Sequence, residues 1–338
     1  MGPHLPPNPI TATVPFDRDG THHGFLHLPC SRDRSAWGAI LIPITVVHNG
    51  PGPTALLTGA NHGDEYEGPV ALQGLARDLD PAAIAGRVII VPFMNTPAFH
   101  AATRVSPLDG VNMNRCFPGD PEGTPTQKIA DYFMRHLLPM ADIVLDFHSG
   151  GKSLDFIPFA AAHLLDDGDQ QAACVAAMQA FNAPYSMMLR ELDAVGMYDT
   201  AAEDAGKVFV STELGGGGSA TARSIRIARR GAENVLRHAG ILSGASHAEP
   251  SVMIDTTGPG CFHIAEESGL VEPLVDLGDP VTQGDRLARL WSTERTGAAP
   301  HVVVAKGSGI LAARHFPGLV RMGDCLAVVA ARVPDRAG

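Results

Sequence analysis

The 338-residue sequence has no apolar run approaching the roughly 18 residues that cross a bilayer, no C-x-x-C pair and no cluster of lysines and arginines. Each absence excludes something. Without a long apolar run, a membrane-spanning protein is not expected. The cysteines are five in number, Cys30, Cys116, Cys174, Cys261 and Cys325, scattered along the chain. An odd, dispersed set gives no disulfide framework and points to a reducing compartment. The balance of 25 basic against 36 acidic residues, a net charge of −11, supplies no patch to neutralise phosphates, so a nucleic-acid partner is excluded. The opening residues MGPHLPPNPITATVPF are proline-rich and lack an apolar run of signal-peptide length. Together these features predict a cytoplasmic protein acting on a small soluble molecule.

What is present is globular: 45% apolar and 18% charged residues, ample for a buried core. Residues 25–47 alternate as strands do, as in AILIPITVV. Short apolar runs then take turns with helical patterns. TALLTGA (54–60), RVIIVPFMN (87–95), DIVLDFHSG (142–150) and GKVFVSTELG (206–215) read as strands. Residues 68–79, 125–139, 169–182 and 220–240 read as helices, the second opened by proline behind Thr124 as N-cap, the last stopped by glycine. Such alternation predicts an α/β domain, its sheet mixed but largely parallel with helices on both faces.

The pattern changes near SGASHAEPS (243–251). Beyond it no helix is expected, and two segments resemble each other, residues 269–291 and 309–329. Each runs strand, turn, strand, with Gly284-Asp285 or Gly323-Asp324 before the last strand. This predicts a small all-β barrel-sandwich domain, similar to biotinyl and lipoyl carrier domains. The expected division is a catalytic domain over 1–245 and the β domain over 246–338. A carrier function would need a lysine at a hairpin tip. The only lysine after Lys207 is Lys306, which precedes the second repeat. Shielding of the active-site mouth, or a contact between subunits of a homo-oligomer, is the expected role.

The chemistry concentrates at strand ends, where open α/β sheets hold their ligands. His62 and Glu65 lie in GANHGDEYEG, directly after one strand, and His148 ends another. Two imidazoles and a carboxylate form a three-ligand set that leaves zinc an open position for water. Asp146, two residues before His148, is placed to orient that ligand. Glu213, ending a third strand before four glycines, is the candidate to take a proton from water and return it to a leaving amine. Arg104, Asn114 and Arg115 fall in a long irregular segment rich in Asn, Pro and Gly, of the kind that carries function. One guanidinium can stabilise an oxyanion and another can grip a carboxylate.

In this order, HGDE, NTPAFHAATR, NMNRCFPG, DFHSGG and the TELG glutamate resemble the succinylglutamate desuccinylase/aspartoacylase family, relatives of zinc carboxypeptidases. The resemblance spans about residues 50–240. It implies one zinc per subunit held by His62, Glu65 and His148, with Glu213 as general base and then acid. It implies Arg104 at the scissile carbonyl, Asn114 with Arg115 at a substrate carboxylate, and an N-acylated amino acid as substrate. A metallocarboxypeptidase shares the zinc set and is the competing expectation. Some family members bring a tyrosine from the C-terminal domain to the substrate, but the tyrosines here are Tyr66, Tyr132, Tyr185 and Tyr198. For a substrate with a side-chain ammonium, the acidic partners to consider are Glu191, Asp193 and Asp199.

Overall fold

The computed structural model describes residues 6–189 and 194–334; Glu191 and Asp193 lie outside the described residues. At the centre stands the strand Thr54–Gly59, buried along its whole length. It runs parallel to Gly86–Val91 on one side and to Ile143–His148 on the other. Val208–Glu213 continues the sheet parallel to Ile143–His148. These strands read as unbroken apolar runs because helices cover both faces. Leu57, Leu145, Ile90 and Val210 meet the helices Glu67–Asp78, Gly168–Phe181 and Ala222–His238 through Leu72, Met178, Phe181 and Val235. Leu56, Val144, Ile89 and Phe209 point the other way, against Ile129, Phe133 and Tyr198. Each such large side chain, fully buried, contributes roughly 1.5–3 kcal/mol.

Outside this parallel centre the sheet is mixed. The hairpin Gly20–Pro29 and Ala39–Asn49 extends one edge antiparallel. On the other side Phe159–His163 pairs antiparallel with Val208–Glu213, and Tyr185–Leu189 then Val252–Asp255 follow in parallel. The strand Phe159–His163 is FAAAH, short and alanine-rich, and has no β-branched signature in the sequence.

The expected helix over 125–139 is regular only through Tyr132, with Thr124 and Gln127 forming a capping box. Its continuation widens to a π turn, Phe133–Leu137, and ends in the tight turn Leu138–Met140. Pro139 explains this, since it lacks an N–H and its ring crowds the carbonyl four residues back. The helix Ala222–His238 begins at Thr221, whose Oγ1 accepts from the Ser224 amide at 3.0 Å.

After residue 245 the repeat seen in the sequence becomes two copies of long strand, short strand, long strand. Gly269–Pro273, Pro280–Val281 and Arg286–Trp291 form the first, and Gly309–His315, Leu319–Val320 and Cys325–Arg332 the second. They exchange short strands: Pro280–Val281 pairs with Gly309–His315, while Leu319–Val320 pairs with Gly269–Pro273. The same turn precedes each last strand. Asp285 accepts from the Thr282 amide at 2.7 Å and Asp324 from the Arg321 amide at 2.9 Å. Gly284 and Gly323 take φ of +94° and +96°, a conformation glycine adopts without steric cost. This segment is hydrogen-bonded into the main sheet: Cys325–Arg332 pairs with Val252–Asp255, and Gly309–His315 pairs with Leu154–Phe156, just beyond His148.

Candidate active site

Three strand ends build the site. The Thr54–Gly59 strand breaks at Ala60, a non-glycine residue at φ +53°. That left-handed kink costs an L-residue about 1–2 kcal/mol and ends the strand where the loop carrying His62 and Glu65 begins. Gly63 holds the loop down: a Cβ there would lie 2.0 Å from the Ala98 carbonyl carbon, and its amide donates to Thr103 O at 3.0 Å. Beside this loop, the register of the parallel pair sets Glu213 directly across from His148.

The loop places His62 and Glu65 three residues apart on one point. His62 Nδ1 lies 2.7 Å from Glu65 Oε1, and His148 Nδ1 lies 3.0 Å from Glu65 Oε2. One donor atom from each of the three residues falls within 4.8 Å of the others, so the cluster can hold a metal ion. His62 and Glu65 are buried, 3% and 2% exposed, which shields such a centre from bulk water. Asp146 orients His148 from behind, its Oδ2 accepting from Nε2 at 2.9 Å while its Oδ1 takes the Thr58 hydroxyl at 2.6 Å. With a hydrogen on Nε2, the nitrogen left for a cation is Nδ1. An N, O, N donor set with an ordered imidazole fits a zinc-type ion.

The electrostatics match a site built for a cation. Burial alone would raise the Glu65 carboxyl, but the charges and hydrogen bonds of His62 and His148 hold it well below the ordinary carboxylate range. Burial lowers His62. Burial also works against His148, but the charges of Asp146 and Glu65 outweigh it and raise that ring well above the usual histidine value. Glu213 is pushed up to about 8, first by burial and then by the charge of Glu65. Its Oε2 is buried without a hydrogen-bond partner, as is Glu67 Oε2.

The other candidates fall into two groups. Arg104 is half exposed, its guanidinium 3.6 Å from Glu65 Oε1, so the long irregular segment does deliver a cation to the cluster. Asn114 is buried, accepting on Oδ1 from the Tyr198 amide at 2.9 Å and from Asn61 Nδ2 at 3.2 Å. Arg115 is exposed and donates to the Asn114 carbonyl at 2.6 Å. Asp199 instead joins a buried group with His163, 3.8 Å away, which also pairs with Glu203. Two residues the sequence reading did not single out belong here. Asn61 links Asn114 to Asp146, and Glu67, the third acid of HGDEYEG, is raised to about 7, chiefly by burial.

A three-residue cluster that can hold a metal ion, at the carboxyl ends of parallel strands and beside the half-buried Glu213, fits a hydrolase of amide bonds. The chain belongs to the succinylglutamate desuccinylase/aspartoacylase family: the sequence model of that catalytic domain matches residues 51–239. An N-alpha-acetyl-L-2,4-diaminobutyric acid deacetylase from Halomonas elongata is 56% identical over 326 residues, 96% of this chain and 95% of the relative. The product-bound structure of the ectoine utilization protein EutE (DoeB) from Ruegeria pomeroyi superimposes with a TM-score of 0.95 at 60% identity, covering 96% of this chain and all of that one. A succinylglutamate desuccinylase from Silicibacter sp. TM1040 gives 0.95 and 60% identity over 97% of this chain and all of that one.

Proposed function

We propose that this chain is a zinc-dependent deacetylase that hydrolyses N-alpha-acetyl-L-2,4-diaminobutyrate to acetate and L-2,4-diaminobutyrate, in ectoine catabolism in the cytoplasm. The observation that carries the reading is the convergence of His62, Glu65 and His148 with Glu213 beside them, in a chain 56% identical to a deacetylase of that name over nearly its whole length. His62, Glu65 and His148 would hold the zinc, which when bound supplies Lewis acidity for the carbonyl and acidifies water. Residues 1–245 would carry the catalysis, with 246–338 bracing the glycine loop and the strand beyond His148.

The chain's own groups divide the remaining work. Glu213 takes a proton from the attacking water and delivers it to the departing α-nitrogen, so that it ends as it began. Burial and the Glu65 charge raise its carboxyl in the metal-free protein, and a bound cation would draw it back toward the ionised form that a base needs. The Arg104 guanidinium faces the cluster and balances the charge that develops on the acetyl oxygen. Asn114 has its oxygen occupied by two donors, which leaves its Nδ2 to donate to the substrate carboxylate, with Arg115 as the charged partner.

The direct test is acetate release from N-alpha-acetyl-L-2,4-diaminobutyrate before and after chelation. Metal removal is expected to reduce turnover at least about 100-fold, with recovery on adding zinc. Undiminished activity after verified metal removal rejects the mechanism.

A further inference from the structure

Asn61 is wholly buried between two residues with assigned roles. Its Nδ2 donates to Asn114 Oδ1 at 3.2 Å and to Asp146 Oδ2 at 3.4 Å. The direction of this chain of hydrogen bonds is anchored in the backbone. The Tyr198 amide can only donate, and it donates to Asn114 Oδ1, so that atom is the carbonyl oxygen. An oxygen there calls for a second donor, and Asp146 already accepts from the Thr58 hydroxyl and from His148, so Asn61 turns its amine toward both. Asp146 Oδ2 in turn faces His148 Nε2, which therefore carries a hydrogen and leaves Nδ1 turned to Glu65. Asn61 keeps this orientation although its own Oδ1 is left buried without a partner. A side chain serving only to fill space has no reason to hold that arrangement.

We propose that Asn61 is a positioning residue that ties the substrate-carboxylate site at Asn114 to the metal-facing side of His148, so that one amide sets the geometry of both. The inference rests on the reading that His148 holds zinc and Asn114 grips the substrate.

The test uses Asn61→Leu, which keeps the volume and removes the donor, with Asn61→Ala beside it should the leucine variant not fold. Zinc affinity is measured by competition with a chromogenic chelator, and L-2,4-diaminobutyrate affinity by calorimetry on the zinc-loaded protein. Both are expected to weaken, zinc by about tenfold or more, with KM raised and kcat lowered together. A folded variant that changes only Tm, or that loses one affinity and keeps the other within twofold of wild type, overturns the link. Asn114→Ala and Asp146→Ala are run in parallel. If they weaken diaminobutyrate and zinc respectively while Asn61 variants weaken neither, the link alone fails. If they leave those affinities unchanged, the assignment of the two residues fails and takes the link with it.

Discussion

Around the metal cluster, Asn61 Oδ1, His62 Nε2, Asp64 Oδ1, Glu67 Oε2, Ser149 Oγ and Glu213 Oε2 are buried without a hydrogen-bond partner. Among the described residues after 245 no buried side-chain polar atom is left in that state. There His263, equally buried, uses both ring nitrogens: Nδ1 donates to Cys261 O at 3.2 Å and Nε2 accepts from the Lys306 amide at 2.9 Å. An unsatisfied buried polar group costs about 1–3 kcal/mol. Several such atoms lie around the three residues that can hold a metal ion, where an outside group would supply the missing partners. The C-terminal region offers its polar groups to its own turns.

Glu213→Gln is the sharpest way to break this contrast. It is expected to lower kcat by about 10³-fold with little change in KM, as loss of a general base does. The same change should stabilise the protein once metal is stripped. Folded Glu213 sits at about 8 against an ordinary 4.5, so the folded state binds its proton more tightly than the unfolded chain does. Stability therefore falls as pH rises from about 4.5 toward 8, and the glutamine variant escapes that loss. Thermal melts of both stripped proteins should diverge with rising pH, by a few degrees at pH 8 and hardly at all near pH 4.5. Coincident melts at pH 8 would mean that Glu213 is not held protonated.

A smaller effect is expected in the C-terminal turns. Asp285→Ala and Asp324→Ala each remove a carboxylate from a backbone amide and should cost about 1 kcal/mol, read as a Tm lowered by about 1–2 °C in a chain of 338 residues. Turnover should stay at the wild-type value. A drop in kcat larger than threefold in either variant would show that the two regions are less separate than their hydrogen bonding indicates. The smallest effect is expected at Ala60→Gly, which relieves the left-handed kink but loosens the unfolded chain. The two contributions nearly cancel, and stability should move by less than about 1 kcal/mol in denaturant titration.

Much of the architecture is legible without coordinates. Apolar runs that end in His, Glu or Asp announce both a buried parallel strand and a functional tip, which is why His62, Glu65, His148 and Glu213 stand out. The doubled Gly-Asp turn announces the β repeat because that pairing combines a left-handed residue with a side-chain acceptor. The strand Phe159–His163 was not legible, since its alanines carry neither alternation nor β-branching. Nor was the π turn after Tyr132, where Pro139 disturbs a pattern that otherwise stays helical.

The sequence by itself determined the principal strands and helices, the strand-end chemistry and the family, because each of their motifs is carried by residues close together in the chain. Tertiary structure alone decided which polar groups share a point. Asn61 meets Asn114 across 53 residues and Asp146 across 85, distances over which no local pattern survives. It also decided that Arg104 faces the cluster while Arg115 stays at the surface, and that Asp199 turns to His163. Hydrogen bonds and charge act over a few ångströms in space, so the fold must bring such groups together before their chemistry can be read.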